Sequence, residues 1–335
     1  MTDSLSSYKA LQTDENLTGN NPKNTNRLLE PVVLIRRFAF GIAIATWMVM
    51  AIGSATRVMN AGLACPDWPL CYGTILPAEQ MNLQVFLEWF HRLVAATTGF
   101  ATIALCGASW YFRKSLPKWL PWATSGSLSL VVFQGILGGL TVTQLLRFDI
   151  VTAHLGTGLL FFSSLLAIAT ALSNDQLNNG EAPRTSPKIA WLGLSAAILV
   201  YLQSILGALV ASQWALHQCF ATQDMCIVLN AHLLGVIPAT IASIAVVVTA
   251  WLTKAIAPIL RRVASIAGLL VIAQVAIGYG TYKLHLQVEP LTIAHQATGS
   301  ALLGTLVCFA VLAFKTMHQA ESQEQNQNPA QPAVH

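Results

Sequence analysis

Thr152-Ala153-His154-Leu155-Gly156-Thr157-Gly158 and Thr292-Ile293-Ala294-His295-Gln296-Ala297-Thr298-Gly299 are two versions of one segment. Their histidines stand 141 positions apart, and the same interval separates His91 from His232. Gln134-x-x-x-Gly138-x-x-Thr141 recurs as Gln274-x-x-x-Gly278-x-x-Thr281, and the cysteines Cys65 and Cys71 answer to Cys219 and Cys226. A correspondence of this length marks two copies of one structural unit.

The surroundings of these segments decide what the unit is made of. Hydrophobic residues are 54% of the chain and charged residues 10%, against about 25% charged in an ordinary soluble domain. So few charges cannot cover a water-facing surface of this size, so a bilayer must do most of the solvating. Eight apolar stretches, near 38–58, 86–112, 119–143, 150–172, 189–211, 226–252, 260–282 and 291–315, each reach the roughly 20 residues a spanning helix needs. Helices are required because lipid cannot satisfy backbone polar groups.

Basic residues set the orientation. Arg27, Arg36, Arg37, Arg113, Lys114, Lys118, Arg184, Lys188, Lys254, Arg261, Arg262 and Lys315 fall at one end of the stretches; only Arg57, Arg147 and Lys283 fall at the other. By the positive-inside rule both termini are cytoplasmic. The expected fold is therefore an all-α integral membrane protein of eight transmembrane helices, in two pseudo-symmetric four-helix bundles. An even number of helices per half relates them by an axis along the membrane normal. The chain divides into a disordered tail (1–35), a first bundle (36–172), a cytoplasmic linker (173–188), a second bundle (189–315) and a second disordered tail (316–335). The N-terminus lacks the apolar core of a signal peptide. A net charge of +4 gives no reason to expect a nucleic-acid partner.

An ionisable side chain within a membrane span is costly and marks function. His91 and His154 lie near the outer starts of the second and fourth helices, and His232 and His295 repeat the arrangement. Two imidazoles at one depth on helices of a bundle suit the two axial positions of a haem iron. The alternatives are a packed histidine bonded to a carbonyl or Thr, and a zinc site, which needs further ligands. The halves differ in one way that matters. Glu88 lies one turn before His91 on the same face, whereas its counterpart is Leu229. Glu88 reads either as a base or charge stabiliser beside a ligand histidine, or as the i, i+4 ion-pair partner of Arg92. The asymmetry points to chemistry in the first half and a permanent cofactor in the second.

Cys65–Cys71 and Cys219–Cys226 face the oxidising side at short spacing, which favours a disulfide within each pair, as a structural clip or a redox-active pair. Cys106 and Cys308 read as packing residues; His217, His285, His318 and His335 as solvated. Trp68, Tyr72, Trp89 and Trp214 gather at the outer interface, and Tyr72 to Phe86 reads as an amphipathic lid over the first site.

Together these residues resemble the haem A synthase family of membrane enzymes. The carriers are Glu88-Trp89-Phe90-His91-Arg92, Ala153-His154-Leu155-Gly156, Asn230-Ala231-His232-Leu233, Ala294-His295-Gln296 and Cys65-Pro66-Asp67-Trp68-Pro69-Leu70-Cys71. The resemblance, from about Arg36 to Lys315, implies an oxidoreductase of the bacterial cell membrane that oxidises a ring methyl group of haem O to a formyl group, with water as the oxygen source. It implies His91 and His154 as ligands of the substrate haem, Glu88 as the essential residue, and His232 and His295 as ligands of a bound haem B. Expected partners are haem O, the lipid membrane, haem O synthase, cytochrome oxidase assembly factors and a second copy of the chain. Two other readings fit the histidines: a di-haem electron-transfer cytochrome, which has no use for the Glu88/Leu229 difference, and a haem transporter or chaperone, which should release haem readily.

Overall fold

The computed structural model describes residues 22–173, 185–211, 227–254 and 256–327. Eight helices long and apolar enough to cross a membrane occur among them: α1 (Pro22–Val58), α2 (Leu83–Tyr111), α3 (Leu120–Thr143), α4 (Phe148–Ala171), α5 (Pro187–Val210), α6 (Ile227–Leu252), α7 (Pro258–Lys283) and α8 (Glu289–Gln327). The chain is a multi-pass membrane protein. Its outward faces carry Phe100, Trp122, Ile136, Ile241, Leu269 and Ile272, each at least half exposed. On a water-soluble monomer apolar exposure of that extent is rare; in a bilayer it is the solvated surface.

Local chemistry sets the helix ends. Asn82 caps α2, its Oδ1 accepting the Val85 N–H at 3.0 Å, and Pro occupies the first turn of α3, α5 and α7, where its missing N–H costs nothing. The α3–α4 and α7–α8 turns are alike. Leu145 and Leu146 in one, His285 and Leu286 in the other, have φ between 50° and 61°. The Leu146 N–H reaches the Thr141 carbonyl at 2.8 Å, and the Leu286 N–H reaches that of Thr281 at 3.0 Å. This is the helix-ending bond across six residues, and it gives the repeated threonine a structural place.

Helices α1 to α4 form a ring in which α1 packs on α2 and α4, and α3 on α2 and α4; α5 to α8 pack likewise. The two sets meet through α4 against α5, α8 against α1, and α4 against α8. The two buried phenylalanines that head the core, Phe161 and Phe309, with Leu159, Leu165, Leu303 and Leu306, lie on α4 and α8. Small residues permit the approach: a methyl added at Gly304 would meet Phe162 at 2.7 Å, and one at Gly193 would meet Phe309 at 2.7 Å, as expected where helices associate without water to drive them.

Two expectations about the ends need correction. α1 begins at Pro22, inside the stretch 1–35 read as a disordered tail, and α8 runs to Gln327, twelve residues into the tail read from 316. The Gln-, Glu- and Ala-rich sequence after Lys315 has high helix propensity and no Pro or Gly to stop a helix already nucleated. Cys219 and Cys226, with Trp214, His217, His335 and most of the linker, lie outside the described residues.

Candidate functional site

The four histidines occupy opposite corners of the two helix rings, His91 on α2 facing His154 on α4, and His232 on α6 facing His295 on α8. Each is backed by a glycine of a neighbouring helix. A methyl on Gly53 would meet the His91 Cε1 at 2.8 Å, and one on Gly207 the His232 Cε1 at 3.1 Å. From Gly138 the contact to His154 would be 3.4 Å, and from Gly278 to His295 2.7 Å. The glycines leave room for an imidazole to come close to helix backbone, Cε1 first, which fixes the ring.

Glutamines hold the same helices. Gln134 donates from Nε2 to the His154 carbonyl at 2.7 Å, and Gln203 to the His232 carbonyl at 2.8 Å. Gln203 Nε2 also lies 2.9 Å from His232 Nδ1, and Gln274 Nε2 lies 3.4 Å from His295 Nε2. Gln203 and the glycines Gly53 and Gly207 were not legible from the repeat. Gly53 precedes His91 by 38 positions but Gly207 precedes His232 by 25, because the first connecting loop is longer, so a search at one interval passes over them.

The donor set fits a haem held by two axial imidazoles. His91, His154 and His295 each have a buried Nδ1 without a hydrogen-bond partner, a state that buried polar groups rarely keep. The His232 and His295 rings stand 6.4 Å apart, centre to centre, with planes at 80°. Two imidazoles sharing one ion through nitrogen–metal bonds of about 2 Å would have centres about 6 Å apart. Between them lies a cavity of about 360 Å³ bounded by Gln203, Leu229, Val236, Gln274 and Tyr282, mostly apolar, as a porphyrin face requires. Among the described residues no group of three or more His, Cys, Asp or Glu side chains converges to hold a metal ion.

Glu88 is 3% exposed. One carboxylate oxygen accepts the Cys65 N–H at 2.8 Å and the other bonds Arg92 at 2.5 Å. The i, i+4 ion pair is thus formed, but it does more than anchor a helix end. Arg92 also donates to the carbonyls of Asp67 and Leu70, each at 2.6 Å, and of Cys65 at 3.4 Å. Cys65 and Cys71 are joined by a disulfide, and both are buried with Val85 against Trp89. Glu88 and Arg92 therefore clamp the disulfide loop from below. Asp67 organises its far side, accepting the Tyr72 N–H at 2.6 Å and the Gly73 N–H at 2.8 Å. The Gly73 bond above all holds the Asp67 carboxyl below its ordinary pKa.

The loop roofs the first ring. Trp68 lies over α3, where a methyl on Gly139 would meet its indole at 3.2 Å, and Trp89 Nε1 donates to the Ile75 carbonyl at 2.7 Å. The segment Tyr72 to Phe86, read as an amphipathic lid, contains only a single 3-10 turn at Ala78–Gln80 before α2 begins at Leu83. Cys106 is buried with its Sγ 3.5 Å from Ser125 Oγ, and Cys308 accepts from Thr170 at 3.3 Å.

A family model described as cytochrome oxidase assembly protein, COX15-CtaA, matches residues 36–307. The chain belongs to the COX15-CtaA family. Relatives named heme A synthase resemble this COX15-CtaA member across most of its length. The Caulobacter vibrioides protein is 26% identical over 81% of this chain and 93% of its own. The Shouchella clausii protein is 27% identical over 86% and 99%, and the Shewanella oneidensis protein is 30% identical over 52% and 56%. The matched span contains all four histidines, Glu88 and the disulfide loop.

Proposed function

We propose that this chain is a haem A synthase, an oxidoreductase that converts a ring methyl group of haem O to the formyl group of haem A for cytochrome oxidase assembly. The observation that carries the reading is a chemical difference between two matching histidine pairs. Glu88 stands by the first pair; Leu229, at the corresponding place, lines the cavity of the second. Family membership and the resemblance to heme A synthases over more than four-fifths of the chain support it.

His91 and His154 bind the substrate through its iron, and Glu88 acts at the methyl group. Oxidation of a methyl group to a formyl group with oxygen drawn from one water releases four protons and four electrons, the electrons passing to an acceptor outside this chain, and builds positive charge on the reacting carbon. A buried carboxylate stabilises that charge, orients the water and accepts a proton. Arg92 and the Cys65 N–H hold Glu88 in one position, the preorganisation such a role needs. His232 and His295 hold haem B, which when bound supplies a one-electron redox centre. The bundles α1–α4 and α5–α8 are read as pseudo-symmetric about the membrane normal, supported by the paired contacts of α4 with α5 and of α8 with α1. Cytoplasmic termini in a bacterial cell membrane, with the Cys65–Cys71 pair on the oxidising side, are part of this reading, supported by the basic residues at the other end from the disulfide.

The test is mass analysis of haem extracted after expression with a supply of haem O. The wild type should yield haem A or hydroxylated haem O beside haem B. Glu88→Gln should yield haem O and haem B without product. Undiminished haem A from Glu88→Gln would end the catalytic role of the carboxylate; haem B alone in the wild type would favour an electron-transfer or carrier protein.

A further inference from the structure

Arg57, in the last turn of α1, belongs by sequence to the first helix ring. Its side chain nevertheless borders the cavity between His232 and His295, together with Leu155 and Leu159 of α4. It is the one Lys, Arg, Asp or Glu among the described residues lining that cavity. The ion pairs among the described residues are Glu88–Arg92 and Arg147–Asp149, so no described carboxylate neutralises Arg57. An unpaired guanidinium at the end of a membrane span is costly and needs an anion.

The heights agree with a ligand seated on the histidines. Trp47 Nε1 donates to the Ala297 carbonyl at 2.9 Å, which aligns α1 with α8. From that level Arg57 is ten residues further along α1, about 15 Å, and His295 is two residues back along α8, about 3 Å. Arg57 thus stands about 12 Å above the level of His295 along the helices, on the rim of the cavity nearest the disulfide loop. A porphyrin centred on the histidines has two carboxylates on one edge. A planar guanidinium binds a carboxylate through two parallel hydrogen bonds.

We propose that Arg57 binds a propionate carboxylate of the haem in the second bundle, so that the first bundle helps to retain the cofactor of the second. The inference rests on the proposed binding of haem by His232 and His295. It also accounts for a difference between the sites. Arg92, the arginine by the first pair, already serves Glu88 and three carbonyls. The position four residues past the histidine-backing glycine is Arg57 after Gly53 but Ala211 after Gly207, so the second bundle offers no matching arginine in return. A site that must release its product lacks the anchor; a site that keeps its haem has it.

The experiment uses the purified full-length haem-loaded protein as wild type, Arg57→Gln, Arg57→Lys and His232→Ala. The readouts are haem B transfer to an excess of apo-globin and the one-electron midpoint potential of the retained haem B. Arg57→Gln should release haem B at least tenfold faster. Its midpoint potential should fall by about 59 mV, the equivalent of a tenfold change for one electron, because an unneutralised carboxylate favours ferric iron. Arg57→Lys should keep most of the potential, since the charge remains, while losing part of the retention. Release and potential both unchanged in Arg57→Gln would overturn the proposal, as would a potential lowered equally in Arg57→Lys, which would mark a packing role. Full retention of haem B by His232→Ala would instead overturn the haem assignment on which it rests.

Discussion

The histidine-backing glycines are the most exposed to test of the single residues. A Cβ at Gly278 would sit 2.7 Å from His295 Cε1, whereas at Gly135, also on a spanning helix, nothing lies within 4 Å. Gly278→Ala should push the ring out of register and deplete the second-site haem several-fold, with about 1–3 kcal/mol of overpacking cost. Gly135→Ala should leave haem content unchanged and, by helix propensity, stabilise by up to about 1 kcal/mol. Haem-to-protein ratios and thermal melts of the two variants check this. The repeat showed Gly138 and Gly278 as recurring residues but gave no reason for them, because which side chain a helix backbone lies against depends on packing between helices. The histidines and Glu88 were legible because polar groups in apolar runs declare themselves by cost alone. Asp67 makes a pH prediction. Its carboxyl is held below its ordinary value, so the turn it caps keeps its order above the unfolded carboxyl pKa of about 4 and loses it as pH falls through the lowered value. Hydrogen exchange at Tyr72 and Gly73 should therefore be protected at neutral pH and lose protection only in acid; Asp67→Asn should show no such acid transition.

The disulfide loop and the start of α2 behave as one element. The cysteines were readable as a pair from their spacing, but not the four bonds from Arg92 that fasten their loop to the carboxylate below. Sequence gives i, i+4 neighbours within a helix; it does not give the carbonyls of a loop more than twenty residues upstream. Lysine cannot reproduce the forked contacts. Arg92→Lys should accelerate exchange across residues 65 to 73 and lower product formation at least tenfold, while second-site haem B stays bound. Hydrogen-exchange mass spectrometry with haem analysis separates this from general unfolding, which would remove both haems. The helix ends failed in the opposite direction: α1 and α8 outrun the apolar stretches because hydropathy reports where lipid lies, and a helix continues until its backbone is interrupted.

Eight spans follow from composition and stand among the described residues, whereas the division into four and four rests on the repeat. What sequence does not supply is the junction between the halves, where α4 packs on α8 and where Arg57 crosses from one half to the cavity of the other. The central claim is a division of labour: a substrate haem in the first bundle, a resident haem B in the second. It is tested most directly by the mass of each haem retained by purified His91→Ala, His154→Ala, His232→Ala and His295→Ala proteins expressed with haem O. The first two should keep haem B and lose haem O and haem A; the last two should lose haem B. Loss of the same haem from variants of both bundles would contradict it.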